Sequence, residues 1–299
     1  MRTALVTGAN QNIGFALVEE LAARWEPADL VLLTGRDPDR VADAAARAAR
    51  NPATRGRVEG RVLDVTDSEA VAKLAAEFTD GIDVVVSNAV TRITPDRHAE
   101  QTDEFIAVAN GGAHAVLRSF GPVLRPGGRL VIVASSLGTL DHLPAPLHHL
   151  FDEVSLDEVE AAVESWRAAV HDGTAARQGW PEWVNLPSKV AQVAAVRAVA
   201  TERRARDLTN GTLIAAVCPG LVDTPTSRPW FDDFSHALTS AEAARRVLDF
   251  VLADPVDPAL YGELVRFGRA LPWRGKGLRT PSTDPGPHSC GGRNSRSPG

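Results

Sequence analysis

The chain encodes an α/β protein in which a parallel β-sheet carries helices on both faces. Short apolar runs alternate with longer amphipathic stretches over most of its length, the rhythm of βαβ units. A glycine-bearing turn joins the first apolar run to the first amphipathic stretch, where an open α/β sheet passes from strand to helix. A chain of 299 residues, 44% of them hydrophobic, can bury such a core within one domain.

Strands are expected at 4–7, 30–34, 58–63, 84–87, 130–134, 213–217 and 264–267, because these runs are short and rich in Val, Ile and Leu. Helices are expected at 13–25, 39–50, 68–78, 104–120 and 189–204, where apolar residues recur every three or four positions. Residues 137–184 break the rhythm, since connections of that length are rare without structure of their own. Within them Leu156, Val159, Ala162, Val163, Trp166 and Val170 fall on one helical face. The stretch is therefore expected to be a helical insertion, a lid beside the functional site. The folded domain is expected to span 1–280. Residues 281–299 hold Pro, Gly, Ser and Arg with little to pack, and disorder is expected there.

A net charge of −6 argues against general nucleic-acid binding. No apolar run reaches the length of a membrane span, and the N-terminal apolar stretch is too short for a signal peptide. The two cysteines, Cys218 and Cys290, lie far apart, so a disulfide framework is not expected and a cytoplasmic location is. No metal site is expected.

Thr7-Gly8-Ala9-Asn10-Gln11-Asn12-Ile13-Gly14 lies between the first strand and the first helix. Such a turn can aim backbone N–H groups and a helix N-terminus at a pyrophosphate, or it can be a tight connection with no ligand. The segment resembles the TGxxxGxG turn of short-chain dehydrogenases/reductases, with Asn12 at the middle glycine. Asn tolerates positive φ better than other side chains do. Further motifs follow in that family's order across about residues 1–270. Asp64-Val65 ends the third strand, and Ser87-Asn88-Ala89-Val90 stands where the family has NNAG. Asn110 falls at a helix asparagine, Ser135-Ser136 closes the fifth strand, and Cys218-Pro219-Gly220-Leu221-Val222-Asp223-Thr224 stands at the PG motif.

The resemblance implies a Rossmann-type, doubly wound sheet. It also implies NADP(H) contacts from Gly8, Asn10, Asn12, Ile13, Gly14, Asp64, Val65, Asn88, Ala89, Lys189, Pro219, Gly220, Val222 and Thr224. Arg36, at the end of the second strand, can fork onto a ribose 2′-phosphate, which favours NADPH, although it can also be a solvated edge residue beside Asp37. The insertion ends in Gln178-Gly179-Trp180-Pro181, similar to the monomeric carbonyl reductases, in which such an insert covers the surface used elsewhere for oligomerisation. A monomer acting on a small molecule is the corresponding expectation.

The family's catalytic YxxxK pair departs from its pattern here. The register reads Trp183-Val184-Asn185-Leu186-Pro187-Ser188-Lys189, so Lys189 is in place and Asn185 stands at the tyrosine. The single tyrosine of the chain is Tyr261. Asn185 can donate a hydrogen bond but cannot transfer a proton at neutral pH, and a general acid is worth roughly 10²–10⁴ in rate. Three accounts remain open. The substrate supplies the proton from a neighbouring hydroxyl, with Ser136 and Asn185 as an oxyanion hole. Alternatively His142, His148 or His149 of the insertion supplies it. In the third, redox chemistry is lost, leaving a cyclase, an isomerase or a cofactor sensor. Asn185 can also be a helix N-cap, with Pro187 in the first turn.

Ketoreductases of the angucyclinone (simocyclinone) type, which tailor aromatic polyketides in antibiotic biosynthesis, lack the tyrosine too, and this chain is similar to them in that respect. Gly138 and Leu221 suggest a roomy pocket, and Trp183 and Trp230 offer aromatic faces to a polycyclic ligand. The leading expectation is an NADPH-dependent ketoreductase. Its catalytic group is Ser136, Asn185, Lys189 and Asn110, and its substrate contacts are Ser136, Gly138, His142, Trp183, Leu221 and Trp230.

Overall fold

The computed structural model describes residues 1–275, apart from the side chains of residues 98 and 99. The expected end of the domain at 280 and the expected tail lie outside the described residues.

Strands β1 (Thr3–Val6), β2 (Leu30–Gly35), β3 (Arg57–Val62), β4 (Ile82–Ser87), β5 (Leu124–Val133), β6 (Leu213–Cys218), β7 (Leu264–Arg266) and β8 (Arg269–Leu271) form one sheet, ordered β3-β2-β1-β4-β5-β6-β7-β8. The first seven pair in parallel and β8 closes the edge antiparallel to β7. The strand order reverses between β1 and β4, the switch point at which such sheets open a crevice beyond their C-terminal ends.

Alternation along each strand divides the core. Leu5 and Val85 face one apolar cluster with Phe120, Trp166 and Val193, while Val6 and Val86 face another with Leu17, Val41 and Val247. Helices α1 (Asn12–Arg24) and α2 (Pro38–Arg50) cover the second face. Asp37 is the N-cap of α2, its carboxylate accepting from Arg40 N at 3.0 Å with Pro38 following, so its acid is engaged in starting a helix. Helix α8 (Ser240–Val251) also lies on that face. It opens with a reciprocal capping box between Thr239 and Glu242, a T-x-x-E signature present in the sequence but not among the expected elements.

The other face carries α3 (Ser68–Ala76), α4 (His98–Ile106), α5 (Gly112–Phe120) and α7 (Asn185–Thr209). The single helix expected at 104–120 is two, joined by a π-helical turn, Ala107–Gly111. Such turns insert one residue into the helical ladder and redirect the groups they carry; this one carries Asn110.

The insertion begins with short 3₁₀ turns at Ser136–Gly138, Leu140–His142 and Ala145–Leu150, then forms α6 (Leu156–His171). Ser155 and Glu158 make the capping box of α6. Its apolar face joins the core through Leu156, Val159 and Trp166, and Trp180 of the expected Gly-Trp-Pro packs 5.9 Å from Trp166. Ion pairs of Arg118 with Asp157 and Glu160, and of Arg167 with Asp103, tie α6 to α5 and α4. The helix thus docks on the outer helical layer, and the 3₁₀ turns are the part of the insertion next to Ser136. No helix among the described residues is long and apolar enough to cross a membrane.

Candidate active site

The turn after β1 is built around close approach. A Cβ on Gly14 would sit 2.5 Å from both Asn88 Nδ2 and Gly8 O, and one on Gly8 would sit 2.6 Å from Ala89 Cα. The turn therefore rests directly on the loop after β4. Asn88 buttresses it, donating from Nδ2 to the carbonyls of Thr7 (3.1 Å) and Gly8 (3.2 Å), while the backbone N–H groups of Asn88 and Ala89 donate to Thr7 Oγ1. Asn12 adopts φ +50°, the conformation for which Asn is the best substitute for glycine. Helix α1 starts without a side-chain cap and without an acid in its first turn, so its leading N–H groups and positive dipole end stay available to an anion. A dinucleotide pyrophosphate fits this cradle, beside Ile13.

Around the adenosine end the expected side chains are already engaged. Arg36 pairs with Glu104 on α4 at 2.6 Å, which raises its pKa, yet it remains exposed. Asn10 lies against two further cations. Its amide oxygen, in the orientation that satisfies both of its polar atoms, accepts from Arg40 Nε and Nη2 at 3.1 and 3.2 Å, and Arg47 reaches its carbonyl at 3.5 Å. Neither Arg40 nor Arg47 was among the expected site residues, although both follow β2 on the exposed side of α2. Asp64 Oδ1 accepts from Thr66 N and Oγ1 in a local turn, and Val65 is buried against Gly112.

At the ends of β5 and β6, Ser136 and Lys189 flank Cys218. The Ser136 N–H donates to Cys218 Sγ at 3.1 Å, which pins the backbone while its half-buried hydroxyl has no hydrogen-bond partner among the described residues. Asn185 is likewise half-buried and without a partner there. It is the first residue of α7 and not its cap: Val184 occupies the cap position in helical conformation, so the N-cap reading is corrected. An engaged cap would have its amide turned to its own helix; this amide makes no such bond.

Lys189 is buried, and burial pushes its ammonium down to about 8, against the thiol of Cys218, which raises it. Nζ donates to Gln192 Oε1 at 2.8 Å and to Val133 O at 3.5 Å. Gln192 Nε2 in turn donates to Ala109 O at 2.7 Å in the π turn. The next residue, Asn110, is fully buried. It donates from Nδ2 to Ser188 O at 3.0 Å and accepts from Ser188 Oγ at 2.8 Å. The π turn is thereby bolted to α7 on both sides of Lys189. Gln192 was not among the expected residues; its signal was a lone amide in the apolar run Val190-Ala191-Gln192-Val193-Ala194.

Gly138 corrects the expectation of a roomy pocket. A Cβ there would lie 2.6 Å from Val193 Cγ2 and 2.8 Å from Lys189 O. The residue is small because its 3₁₀ turn lies flat on α7, and a side chain would meet that helix backbone. The histidines of the insertion divide as well. His148 and His149 hold backbone carbonyls of their own turns, Leu143 O at 2.9 Å and Pro146 O at 2.8 Å, which makes them turn fasteners. His142 Nδ1 contacts Thr139 Oγ1 at 3.0 Å, and burial lowers its pKa, favouring the neutral ring.

Trp183 and Trp230 are brought together, their ring centroids 5.4 Å apart and 33° from parallel. Trp230 Nε1 donates to Ile93 O at 3.1 Å, so the pair links the loops after β4 and β6 to the start of α7. Trp183 Nε1 is buried with no partner among the described residues. Beyond the PG motif, Val222 bridges to Leu238, Leu221 O accepts from Leu238 N, and Thr224 is locked to Ser227. Tyr261 is remote from all of this. It precedes β7, at the opposite end of the sheet, and its hydroxyl donates to buried Asp207 at 2.8 Å.

Residues 2–145 match the family model described as short chain dehydrogenase. Carbonyl reductase [NADPH] 3 of Mus musculus is 29% identical over 286 residues, covering 89% of this chain and 96% of its own. Carbonyl reductase [NADPH] 1 of Rattus norvegicus is 26% identical over 289 residues, covering 90% and 98%. Salutaridine reductase from Papaver somniferum shares the fold with a TM-score of 0.73 at 20% identity, over 88% of this chain and 99% of that one. Menthone neomenthol reductase from Mentha piperita does so with a TM-score of 0.71 at 22% identity, over 90% and 99%. The ordered motifs and these comparisons make the chain similar to short-chain dehydrogenases over its N-terminal 144 residues and to NADPH-dependent carbonyl reductases over most of its length, which marks it as an oxidoreductase.

Proposed function

We propose that this protein is an NADPH-dependent ketoreductase acting on a bulky, aromatic polycyclic ketone of the kind found in aromatic-polyketide antibiotics, with the proton supplied by the substrate. One observation carries this reading: Ser136, Lys189 and Asn110 are kept around a position where the family's acid is replaced by Asn185. NADPH, when bound, supplies the hydride. Gly8, Asn12, Ile13 and Gly14 cradle its pyrophosphate, with Asn88 and Ala89 beneath them. Asn10, Arg36, Asp64 and Val65 take the adenosine end. Pro219, Gly220, Val222 and Thr224 frame the nicotinamide, and the Lys189 ammonium faces the ribose.

Ser136 Oγ–H and the Asn185 amide N–H donate to the ketone oxygen as charge develops on it. A hydroxyl neighbouring that ketone then gives its proton to the new alkoxide, a task no tyrosine in the site performs. Trp183 and Trp230, with Leu221 and His142, receive the planar ring system. What supports an aromatic ligand is the stacked pair Trp183 and Trp230, which places aromatic surface where three loops meet. The protein works in the cytoplasm as a monomer, with α6 packed on the outer helical layer against α7 and α4.

The test is a panel of polycyclic ketones mixed with enzyme and NADPH, followed at the reduced-nicotinamide absorbance. Ketones with an adjacent phenol are reduced; their O-methyl ethers react roughly 10²–10⁴ times more slowly. Equal rates for phenol and ether would remove the substrate as proton source. Tight NADPH binding with no oxidation across the panel would remove the reductase reading. Asn185→Tyr is expected to restore reduction of the ethers.

A further inference from the structure

A buried lysine with no carboxylate beside it needs a reason to stay where it is. Lys189 is buried, and taking its charge out of water is costly unless oxygens surround it. Two oxygens are present, Gln192 Oε1 at 2.8 Å and the Val133 carbonyl at 3.5 Å. An ammonium has three donors, and the third has no protein partner among the described residues. The titratable group packed against it is the Cys218 thiol on β6; the 3₁₀ turn at Ser136–Gly138, the end of β5 and the π turn bring no acid to it.

Gln192 is itself buried and committed at both ends. Its oxygen takes the ammonium, and its Nε2 donates to Ala109 O at 2.7 Å. Ala109 precedes Asn110 in the π turn, and Asn110 is locked to Ser188, the residue before Lys189. The loop of contacts therefore closes: Lys189 to Gln192, to the π turn, to Ser188 and back to Lys189. Two of its links, Gln192 to Ala109 and Ser188 to Asn110, join α7 to the π turn, and the groups that make them are neutral amides, a hydroxyl and backbone carbonyls.

We propose that Gln192 is the positioning residue of this site: it clamps the Lys189 ammonium to the π turn, so that Lys189 serves as a fixed hydrogen-bond donor to a cofactor hydroxyl and not as a link in a proton relay. A carboxylic acid, an imidazole or a water at this place could pass a proton between Lys189 and the interior. A primary amide holds geometry and passes none. The clamp stands on this chain's own contacts; its consequence for the proton rests on the ketoreductase reading above.

The chain has three lysines, Lys73, Lys189 and Lys276, so lysine carbon NMR of the full chain gives few signals to separate. Lys73 is exposed, Lys276 lies beyond the described residues, and the Lys189 signal is identified by its loss in Lys189→Arg. Gln192→Glu gives the ammonium an opposite charge, and its titration midpoint moves to higher pH by about one pH unit. Gln192→Met, similar in length and uncharged, removes the oxygen, and the midpoint moves lower. The same Met variant weakens NADPH binding by about tenfold, as expected for one charge-assisted hydrogen bond misplaced. In the unaltered protein the Gln192 side-chain amide protons exchange slowly with solvent.

A purely space-filling Gln192 would lower thermal stability in both variants without moving the lysine midpoint in opposite directions. An unmoved midpoint in folded Gln192→Met, or fast exchange of the Gln192 amide in the unaltered protein, overturns the clamp. Either result leaves the ketoreductase test untouched, just as a failed ketone panel leaves this titration standing.

Discussion

Ser136 shows how one side chain can be held by its own backbone. Its N–H is fixed on Cys218 Sγ, so the hydroxyl projects from a fixed point and has no hydrogen-bond partner among the described residues. Pre-organised donors of this kind stabilise developing negative charge at little reorganisation cost. Ser136→Ala is therefore expected to lower kcat by about 10²–10³, roughly 3 kcal/mol, with the NADPH dissociation constant unchanged. Single-turnover mixing measures both, and an unchanged rate would take the serine out of the mechanism. Asn185 was legible in the sequence as the residue at the tyrosine position. Its place as the first residue of α7, with the amide uncommitted, was not, because capping depends on the dihedrals of Val184 and not on residue type alone. Gly138 was read as an open space, whereas it is a contact with Lys189 O and Val193 from a helix about fifty residues onward.

Among the elements, the π turn and α6 decide how the site is braced. The hydrophobic periodicity of α6 is plain in sequence: five of the six expected residues, Leu156, Val159, Ala162, Val163 and Trp166, are buried, while Val170 is half-buried and Ala169 is buried in its stead. Its docking partner was not legible, because a helical stripe says that a face is covered but not by what. Where α5 meets α6, His114 is buried with Nε2 unpartnered among the described residues and Nδ1 3.9 Å from Glu160 Oε1. Burial holds its pKa at about 4 against an ordinary 6.5; Glu160 raises it and Arg118 lowers it further. The folded-state value is the lower one, so between pH 6.5 and 4 the unfolded chain binds a proton that the folded chain refuses. Stability therefore falls as pH falls through that window, by about 3 kcal/mol at its lower end. Denaturant melts across that range are expected to show the loss in the unaltered protein and a smaller one in His114→Leu. Parallel pH dependences would mean that His114 does not carry it.

At the scale of the whole molecule, the motif residues and the buried Tyr261–Asp207 contact occupy opposite ends of the sheet. The glycine turn, Ser136 and the PG motif all follow strand C-termini, where the β1/β4 switch opens the crevice. Tyr261 lies at the other end, where its hydroxyl donates to buried Asp207 and Arg203 pairs with the same carboxylate. From within the chain α6 packs on α7 and α4, and the Arg118 and Arg167 ion pairs tie it to α5 and α4. Surface ion pairs of this kind contribute only about 0–1 kcal/mol each, so the buried face of Trp166 and Val159 carries the docking. Sedimentation is expected to give a single species near the chain mass of 31.8 kDa at micromolar concentration. A stable dimer or tetramer would show that another surface is used for assembly.

By itself the sequence determined the alternation of strand and helix, the order of the motifs and the absence of tyrosine beside Lys189. These are properties of residue type and spacing along one stretch of chain. Only the tertiary structure decided that Arg36 meets Glu104, that Gly138 lies on α7, and that Gln192 joins Lys189 to the π turn. Each of those contacts brings together groups from separate elements, or turns a side chain into an interior that local periodicity cannot describe. The missing tyrosine could be read from a single line of residues, but what holds its neighbours in place could not.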